Sequence, residues 1–346
     1  MLRRLVVATC LATLLLVGAG FTLLEQRLYE PLSLPSTGAV LEVKRGDTLR
    51  TVLAAMAQRE WLLYPRVVEW WARYRELDSG LHIGEYQLQA GTTAVQLLEQ
   101  LNRGDVIQYS VTLPEGITLA NAIERLHSQP ALVREVTGPN DPTLLELVAP
   151  YASAEGWFLP ETYRYTRGDS DLDVLRRAYL AMTAELDRIW TGRGHEDLPL
   201  KNAYEALILA SIVERETSVA SERATIAGVF VRRLELGMRL QTDPTIIYGL
   251  AQQYDGNITR QHLRDVDNPW NTYVIKGLPP TPIALPGVAA LEAAVHPEEG
   301  DALFFVAKGD GYHAFASDLH SHNANVKRYQ LNRARDYKST PEAIRP

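Results

Sequence analysis

The sequence contains a single cysteine, Cys10, among its 346 residues. One thiol can support neither an intramolecular disulfide framework nor a cysteine-based zinc site, so both are excluded. A basic nucleic-acid-binding surface is not indicated either, because 35 Lys and Arg stand against 42 Asp and Glu and no Lys/Arg-rich block occurs. Internal repeats and low-complexity tracts are also absent. The length predicts about two domains, large enough to form folded cores without covalent cross-links.

One segment near the start lacks charge altogether. Leu5–Leu24 is a run of 20 residues without Asp, Glu, Lys or Arg, and Arg3 and Arg4 precede it. A helix of about 20 residues spans the hydrocarbon core of a bilayer. The positive-inside rule therefore predicts a transmembrane anchor at 5–24, with residues 1–4 in the cytoplasm and the rest of the chain on the outer side. Small residues at Gly18-Ala19-Gly20 leave a cleaved signal peptide as the alternative.

The remaining chain predicts an α+β protein in three parts. Residues 25–40, which include Pro31 and Pro35, indicate an extended linker. Residues 41–105 predict a small module with the element order β-α-α-β-α, and residues 106–340 a larger mixed α+β catalytic domain. Val43–Leu49, where the first strand of the module meets a helix, resembles the opening of a LysM-type peptidoglycan-binding module. The alternative is that Gly-Asp-Thr in this stretch is only a turn that caps the helix.

Glu214 is the candidate for acid–base chemistry. It lies near the end of a predicted helix over Asn202–Thr217 whose central residues are apolar nearly all round, and Ala210 and Leu207 lie below it on the same face. Desolvation and the negative end of the helix dipole both raise the pKa of a carboxyl group there, as a general acid for glycosidic-bond cleavage requires. An ion pair with an arginine is the alternative. Glu216 lies about 200° away around the helix and is predicted to be structural or supporting.

The chain contains several short motifs between Glu155 and Asn323. They are Glu155-Gly156-Trp157-Phe158, Pro160-Glu161-Thr162-Tyr163, Ile212-Val213-Glu214-Arg215-Glu216-Thr217, Arg239-Leu240-Gln241-Thr242-Asp243-Pro244-Thr245, Asn271-Thr272-Tyr273, Gly277-Leu278-Pro279-Pro280, Pro282-Ile283, His313-x-Phe315 and Ser321-His322-Asn323. With them the chain closely resembles the endolytic murein transglycosylase (YceG-like) family over nearly its whole length. Glu161 departs from the family pattern, in which Asp is commoner.

The resemblance implies a membrane-anchored endolytic lytic transglycosylase. The family's catalytic glutamate falls on Glu214, and Gln241, Asp243, Asn271 and Tyr273 lie in motif regions that would form the substrate cleft. Glu214 would protonate the leaving oxygen of the MurNAc–GlcNAc bond and then accept the proton of the MurNAc C6 hydroxyl, giving a 1,6-anhydro-MurNAc end. The resemblance further implies a bacterial cytoplasmic (inner) membrane location, a catalytic domain on the extracytoplasmic side, and nascent peptidoglycan strands that are terminated or trimmed.

The partners expected are peptidoglycan strands and the lipid bilayer, the latter through residues 5–24; peptidoglycan synthases remain an open possibility. No cofactor is expected, and no metal, because His320 and His322 form an H-x-H pair without further ligands in sequence. Two other functions stay open. One is a non-catalytic cell-wall-binding scaffold. The other is a hydrolysing muramidase, which requires a second carboxylate. Asp243 is the motif candidate for that carboxylate, although before Pro244 it can equally be a turn residue.

Overall fold

The computed structural model describes residues 2–193 and 198–331. The architecture is mixed α+β, as predicted, and its strands form three two-stranded sheets in the described part of the chain. The chain divides into two compact units. Unit 1 comprises residues 1–109, 131–133 and 164–169, and unit 2 comprises residues 110–130, 134–163 and 170–346.

Unit 1 is built around a two-stranded antiparallel sheet. Its elements are α1 (Leu2–Leu28), β1 (Ala39–Val43), α2 (Leu49–Gln58), α3 (Pro65–Tyr74), β2 (Gly84–Leu88) and α4 (Ala94–Arg103). The register pairs Leu41 with Tyr86 and Val43 with Gly84. Leu41, Val43, Tyr86 and Leu88 are all buried, so one face of the sheet forms the core with the three short helices. The predicted β-α-α-β-α order is observed, whereas the LysM-like character of this module stays a prediction.

Residues 25–40, which the sequence predicts to be an extended linker, are packed into the fold instead. Helix α1 continues to Leu28, and the buried side chains of Leu28 and Leu32 belong to the core of unit 1. The amide of Leu32 donates to Thr92 O (2.8 Å) and that of Ser33 to Trp61 O (3.0 Å). The segment 25–40 is therefore packed against unit 1, because its leucines complete an apolar core.

The predicted anchor at 5–24 lies within α1. Met1 and the side chains of residues 2–10, 12, 14 and 17 lie outside the described part of the structure. Among the described residues, no helix meets the length and hydropathy required of a membrane span. The anchor stays a prediction.

Unit 2 is mainly helical. The first of its elements is strand β3 (Tyr109–Thr112), which begins at the last residue of the first segment of unit 1. The others are α5 (Leu119–His127), α6 (Pro142–Leu147), β4 (Thr162–Tyr165), α7 (Asp171–Gly192), α8 (Ala203–Glu216), α9 (Arg223–Glu235), α10 (Asp243–Leu250), α11 (Val288–Val295), β5 (Phe304–Ala307), β6 (His313–Ala316) and α12 (Leu319–Val326). Strands β3 and β4 pair, as do β5 and β6. The end of the predicted catalytic domain, from 332 to 340, lies outside the described residues.

Helix α8 is the centre of unit 2. Every residue from Ala206 to Val213 is buried, and α7, α9 and α11 pack around the helix. The buried hydroxyl of Ser211 donates to Ile208 O (2.7 Å) and accepts the amide of Ile283 (3.0 Å), which ties the proline-rich loop before α11 to the helix. This enclosed helix holds its C-terminal end, with Glu214 and Glu216, in a fixed place.

Candidate active site

The two glutamates at the end of α8 have different surroundings. The helix begins at the cap residue Asn202, whose side chain accepts the amide of Glu205 (3.0 Å), and it ends at Glu216. Residues two apart on a helix point about 200° from each other. Glu214 and Glu216 therefore leave the same helix end in nearly opposite directions, and each has to be considered by itself.

Glu214 is held in an ion-paired pocket. Its side chain is only 6% exposed. The amide of Gly287 donates to one carboxylate oxygen (3.0 Å) and the Arg223 guanidinium lies 3.5 Å from the other. Arg223 also contacts Glu115 at 3.4 Å. Burial raises the pKa of the Glu214 carboxyl, as the sequence predicted, while the amide of Gly287 and the charge of Arg223 oppose that rise by stabilising the anion.

Glu216 is partly buried and forms no salt bridge to a basic side chain in the described part of the chain. The hydroxyl of Thr242 donates a hydrogen bond to its carboxylate. Burial raises the pKa of Glu216 to about 7, and the negative charge of Asp243 acts in the same direction. A carboxyl group with such a pKa is substantially protonated at neutral pH, which is the state that a general acid needs.

Three buried threonines join two of the sequence motifs. The Thr242 amide donates to the Thr272 hydroxyl (3.0 Å), and the hydroxyls of Thr245 and Thr272 lie 2.8 Å apart. The amide of Gln241 donates to Thr272 O (3.1 Å). Gln241 itself has φ of 52°, a left-handed conformation that is strained for a residue with a side chain. The threonine network holds this strained turn, and the hydroxyl that reaches Glu216, in one arrangement.

A cavity of about 660 Å³ lies at this junction. Glu216, Gln241, Asp243 and Tyr273 all line it, as does the buried Arg233. The Tyr273 hydroxyl donates to an Asp243 carboxylate oxygen (2.7 Å), and burial together with Asp243 raises the pKa of Tyr273, so the phenol stays protonated. Amide, hydroxyl, aromatic and carboxyl groups around one concave space are suited to a neutral sugar substrate.

Arg233 adds a fixed positive charge to the cavity wall. Its Nε donates to Leu303 O (2.6 Å) and its Nη1 to Leu240 O (2.7 Å). The guanidinium also lies over the Phe304 ring, 5.1 Å from the centroid. These contacts prevent the side chain from moving with the substrate. No group of three or more His, Cys, Asp or Glu side chains suited to a metal ion occurs within residues 2–193 and 198–331.

Comparison with known proteins assigns the family. The model of the YceG-like family matches residues 41–328, most of the chain. The chain belongs to the YceG-like family. The resemblance seen in the sequence motifs is thereby confirmed.

Named relatives of the YceG-like chain are similar over most of its length. It is 27% identical over 337 residues to the endolytic murein transglycosylase of Bacillus subtilis, covering 91% of both proteins. It is 25% identical to the endolytic murein transglycosylase of Streptococcus pneumoniae, covering 82% of this chain but 57% of that protein. A crystal structure of a YceG-like protein from Listeria monocytogenes matches with a TM-score of 0.54 at 24% identity, covering 84% of this chain and 99% of the other, and so supports the fold.

The structure brings together some of the residues expected in the site of this YceG-like chain and separates others. Gln241, Asp243 and Tyr273 line the cavity, whereas Glu214 and Asn271 do not. Asn271 is fully buried, and its amide group donates to His262 O (3.0 Å) and Asp265 O (2.8 Å). It therefore braces the loop before the Asn-Thr-Tyr motif.

Sequence reasoning missed the position of Glu216, which was expected to be structural or supporting. It also missed the threonines and the cavity-lining Arg233 and His313. One signal was available in the sequence: Glu216 lies at the end of the predicted helix, and a side chain at the last position of a helix can extend past its end. Its partner, Thr242, lies 26 residues away in the chain, so no local pattern joins the two.

Proposed function

We propose that the protein is an endolytic lytic transglycosylase that cleaves the MurNAc–GlcNAc bond within peptidoglycan strands and leaves a 1,6-anhydro-MurNAc end. The observation that carries the proposal is the Glu216 carboxyl, partly buried and with a pKa raised to about 7, in a cavity lined by polar and aromatic side chains. Relatives named endolytic murein transglycosylase that match most of the chain support the same activity.

The proposed reaction needs one carboxyl group. Protonated Glu216 donates its proton to the bridging O4 of GlcNAc as the C1–O4 bond breaks, and the MurNAc C6 hydroxyl attacks C1. The C1–O6 bond forms while the resulting Glu216 carboxylate accepts the hydroxyl proton. No water is consumed, so the reaction is an intramolecular transglycosylation in which O6 of the same MurNAc replaces O4 at C1. Gln241 and Tyr273 supply an amide and an aromatic ring for binding the sugars.

The catalytic role was expected for Glu214, and the geometry favours Glu216. Glu214 already accepts an amide hydrogen bond and pairs with Arg223, and it does not line the cavity. Burial raises the pKa of Glu214 as well, but its carboxylate oxygens are already engaged by Gly287 and Arg223, and the side chain does not face a substrate in the cavity. We assign Glu214 a positioning role: it connects the end of α8 to Arg223 and the loop at Gly287.

A hydrolysing muramidase is the second candidate, because Asp243 shares the cavity with Glu216. Two carboxyl groups on one site are the requirement for hydrolysis, with one as acid and the other as base or nucleophile. The hydrogen bond from Tyr273 holds the Asp243 carboxylate in place, which fits a stabilising or base role. Hydrolysis would leave a reducing MurNAc end instead of an anhydro end.

Mass spectrometry of digested sacculi distinguishes these functions. Full-length protein in detergent is incubated with purified peptidoglycan, and the new ends are identified as anhydro or reducing. We expect anhydro ends from the wild type, none from Glu216→Gln, and retained chemistry with Glu214→Gln. Glu124→Gln, a change on the exposed face of α5, is the matched control. Reducing ends would indicate the muramidase, and the absence of cleavage by folded wild-type protein would indicate the scaffold.

We also propose that residues 5–24 anchor the protein in the bacterial cytoplasmic membrane, with the catalytic part on the outer side. The uncharged run and the preceding Arg3 and Arg4 support this topology. Because Leu28 packs into the core of unit 1, such an anchor would hold unit 1 close to the bilayer, where nascent strands emerge. Retention in the membrane fraction after a carbonate wash, lost when 5–24 is deleted, tests the proposal; release of the intact protein would contradict it.

A further inference from the structure

His313 forms part of the wall of the same cavity, and Glu222 holds its ring from behind. Glu222, just before α9, accepts the backbone amide of His313 through one carboxylate oxygen (2.9 Å), and its other oxygen lies 2.8 Å from Nδ1 of the His313 ring. Both side chains are only 11% exposed. The chain positions that form the pair are 91 residues apart, so the fold brings them together.

The contact with Glu222 fixes the tautomer of the ring. A carboxylate can only accept hydrogen bonds, so Nδ1 of His313 carries the proton and donates it. In the neutral ring, Nε2 is then an acceptor with a free lone pair. None of the residues that the structure describes forms a hydrogen bond with Nε2, and the ring lines the cavity beside Phe305, whose ring packs edge-on at 5.4 Å. Nε2 is therefore available to accept a hydrogen bond or a proton from a ligand in the cavity.

The cavity therefore contains two groups capable of proton transfer. Burial raises the pKa of Glu216 to about 7, which favours its protonated form, whereas the His313 ring donates from Nδ1 to Glu222 and leaves Nε2 as an acceptor. The other charged and titratable side chains that line the cavity are Arg233, Asp243, Tyr273 and His322. Asp243 is hydrogen-bonded to Tyr273, and Arg233 is held by the backbone oxygens of Leu303 and Leu240. One group that can donate a proton and one that can accept it are the parts of a divided acid–base mechanism.

We propose that His313 is a second catalytic residue, whose Nε2 accepts the proton of the MurNAc C6 hydroxyl, and that Glu222 is the positioning residue that holds the ring in the required tautomer. The inference rests on the proposed function and changes only its second proton transfer, in which the C6 hydroxyl proton now passes to His313 instead of Glu216. Glu216 gives its proton to O4 as C1–O4 breaks. The C1–O6 bond forms as the O6 proton passes to Nε2, and transfer of one proton from the imidazolium to the Glu216 carboxylate restores both groups.

The first test replaces His313 by Asn. The Asn amide can take the place of Nδ1–H and keep the hydrogen bond to Glu222, but it has no equivalent of Nε2. We expect the rate of anhydro-end formation to fall by about 10²–10⁴-fold with KM little changed. The acidic limb of the pH–rate profile, which reports protonation of the base, is expected to disappear in this variant. His320→Asn, on the exposed face of α12, is the matched control.

The second test replaces Glu222 by Gln. The Gln amide would donate to Nδ1 and so force the proton onto Nε2, turning the ring from an acceptor into a donor. We expect a loss of rate similar to that of His313→Asn, with the thermal midpoint close to that of the wild type. If His313→Asn folds and retains the wild-type rate and profile, or if Glu222→Gln does so, the inference is wrong. Wild-type digests with reducing ends instead of anhydro ends would refute the proposed function itself.

Discussion

Replacing Glu216 by Gln is expected to abolish cleavage and, at the same time, to make the protein more stable above neutral pH. The two side chains have nearly the same shape, and the amide oxygen of Gln can still accept the hydrogen bond from Thr242. What changes is that Gln cannot ionise. Above neutral pH the wild type has to bury a negative charge at this position, whereas the variant does not.

The magnitude follows from the pKa. Burial raises the pKa of Glu216 from 4.5 to about 7, and a tenfold change in an ionisation constant is worth about 1.4 kcal/mol. A folded-state pKa above the unfolded value contributes stability that is fully present below the unfolded pKa and is lost as pH rises through the folded pKa. The free energy of unfolding of Glu216→Gln should therefore exceed that of the wild type by about 3 kcal/mol at about pH 8.5, and by only about 1 kcal/mol at about pH 5.

Urea unfolding followed by tryptophan fluorescence, at those two pH values, measures the difference. Glu155→Gln is the matched control, because burial also raises the pKa of Glu155 to about 7 while its carboxylate accepts the Leu119 amide (2.8 Å) away from the cavity. Above neutral pH, the free energy of unfolding of Glu155→Gln should also exceed that of the wild type, and this variant should retain cleavage. Equal stability of Glu216→Gln and wild type at the higher pH, or a difference independent of pH, would refute the reasoning.

Three further predictions concern the same part of the molecule. Cleavage by the wild type should fall as pH rises above about 7, because Glu216 must be protonated; a rate that keeps rising in an anhydro-end assay would contradict its role. Thr272→Val should lower the free energy of unfolding by about 1–3 kcal/mol, since it leaves the Thr242 amide without an acceptor, whereas Thr272→Ser should lose less. Gly156→Ala should lower the thermal midpoint strongly, because φ is 85° and the new Cβ would lie 2.5 Å from a carbon of the rigid Pro282 ring. An unchanged thermal midpoint would contradict this prediction, because it would show that the loop moves to accommodate the methyl group.

The helices of unit 2 could be predicted closely because their signals are local. The predicted helix over 202–217 is observed as Ala203–Glu216, capped by Asn202, and the long helix Asp171–Gly192, capped by Ser170, is built in the same way. In both, a capping side chain and an apolar pattern lie within a few residues of the helix they specify. Such signals need no knowledge of the rest of the fold.

Residues 25–40 show where local signals stop being sufficient. Two prolines and small polar residues are typical of a linker, yet Leu28 and Leu32 are buried and the amide of Leu32 pairs with Thr92. The hydrogen-bond partners of this segment, Trp61 and Thr92, lie about 30 and 60 residues later, so composition alone cannot reveal them. The same limitation applies to Asn271, whose motif suggested substrate binding although its amide is used to brace a loop.

The choice between Glu214 and Glu216 also depends on contacts between residues that are far apart in the chain. The apolar residues behind Glu214 correctly predicted its burial and the rise in its pKa. Burial, however, does not determine what a side chain faces: Glu214 faces Arg223 and the amide of Gly287, and Glu216 faces the cavity and Thr242. Since the two residues leave α8 in nearly opposite directions, only one can contact a substrate in the cavity. Glu214 is ion-paired and lies outside the cavity, whereas Glu216 lines the cavity and forms no salt bridge to a basic side chain among the described residues, so we assign the proton used in catalysis to Glu216.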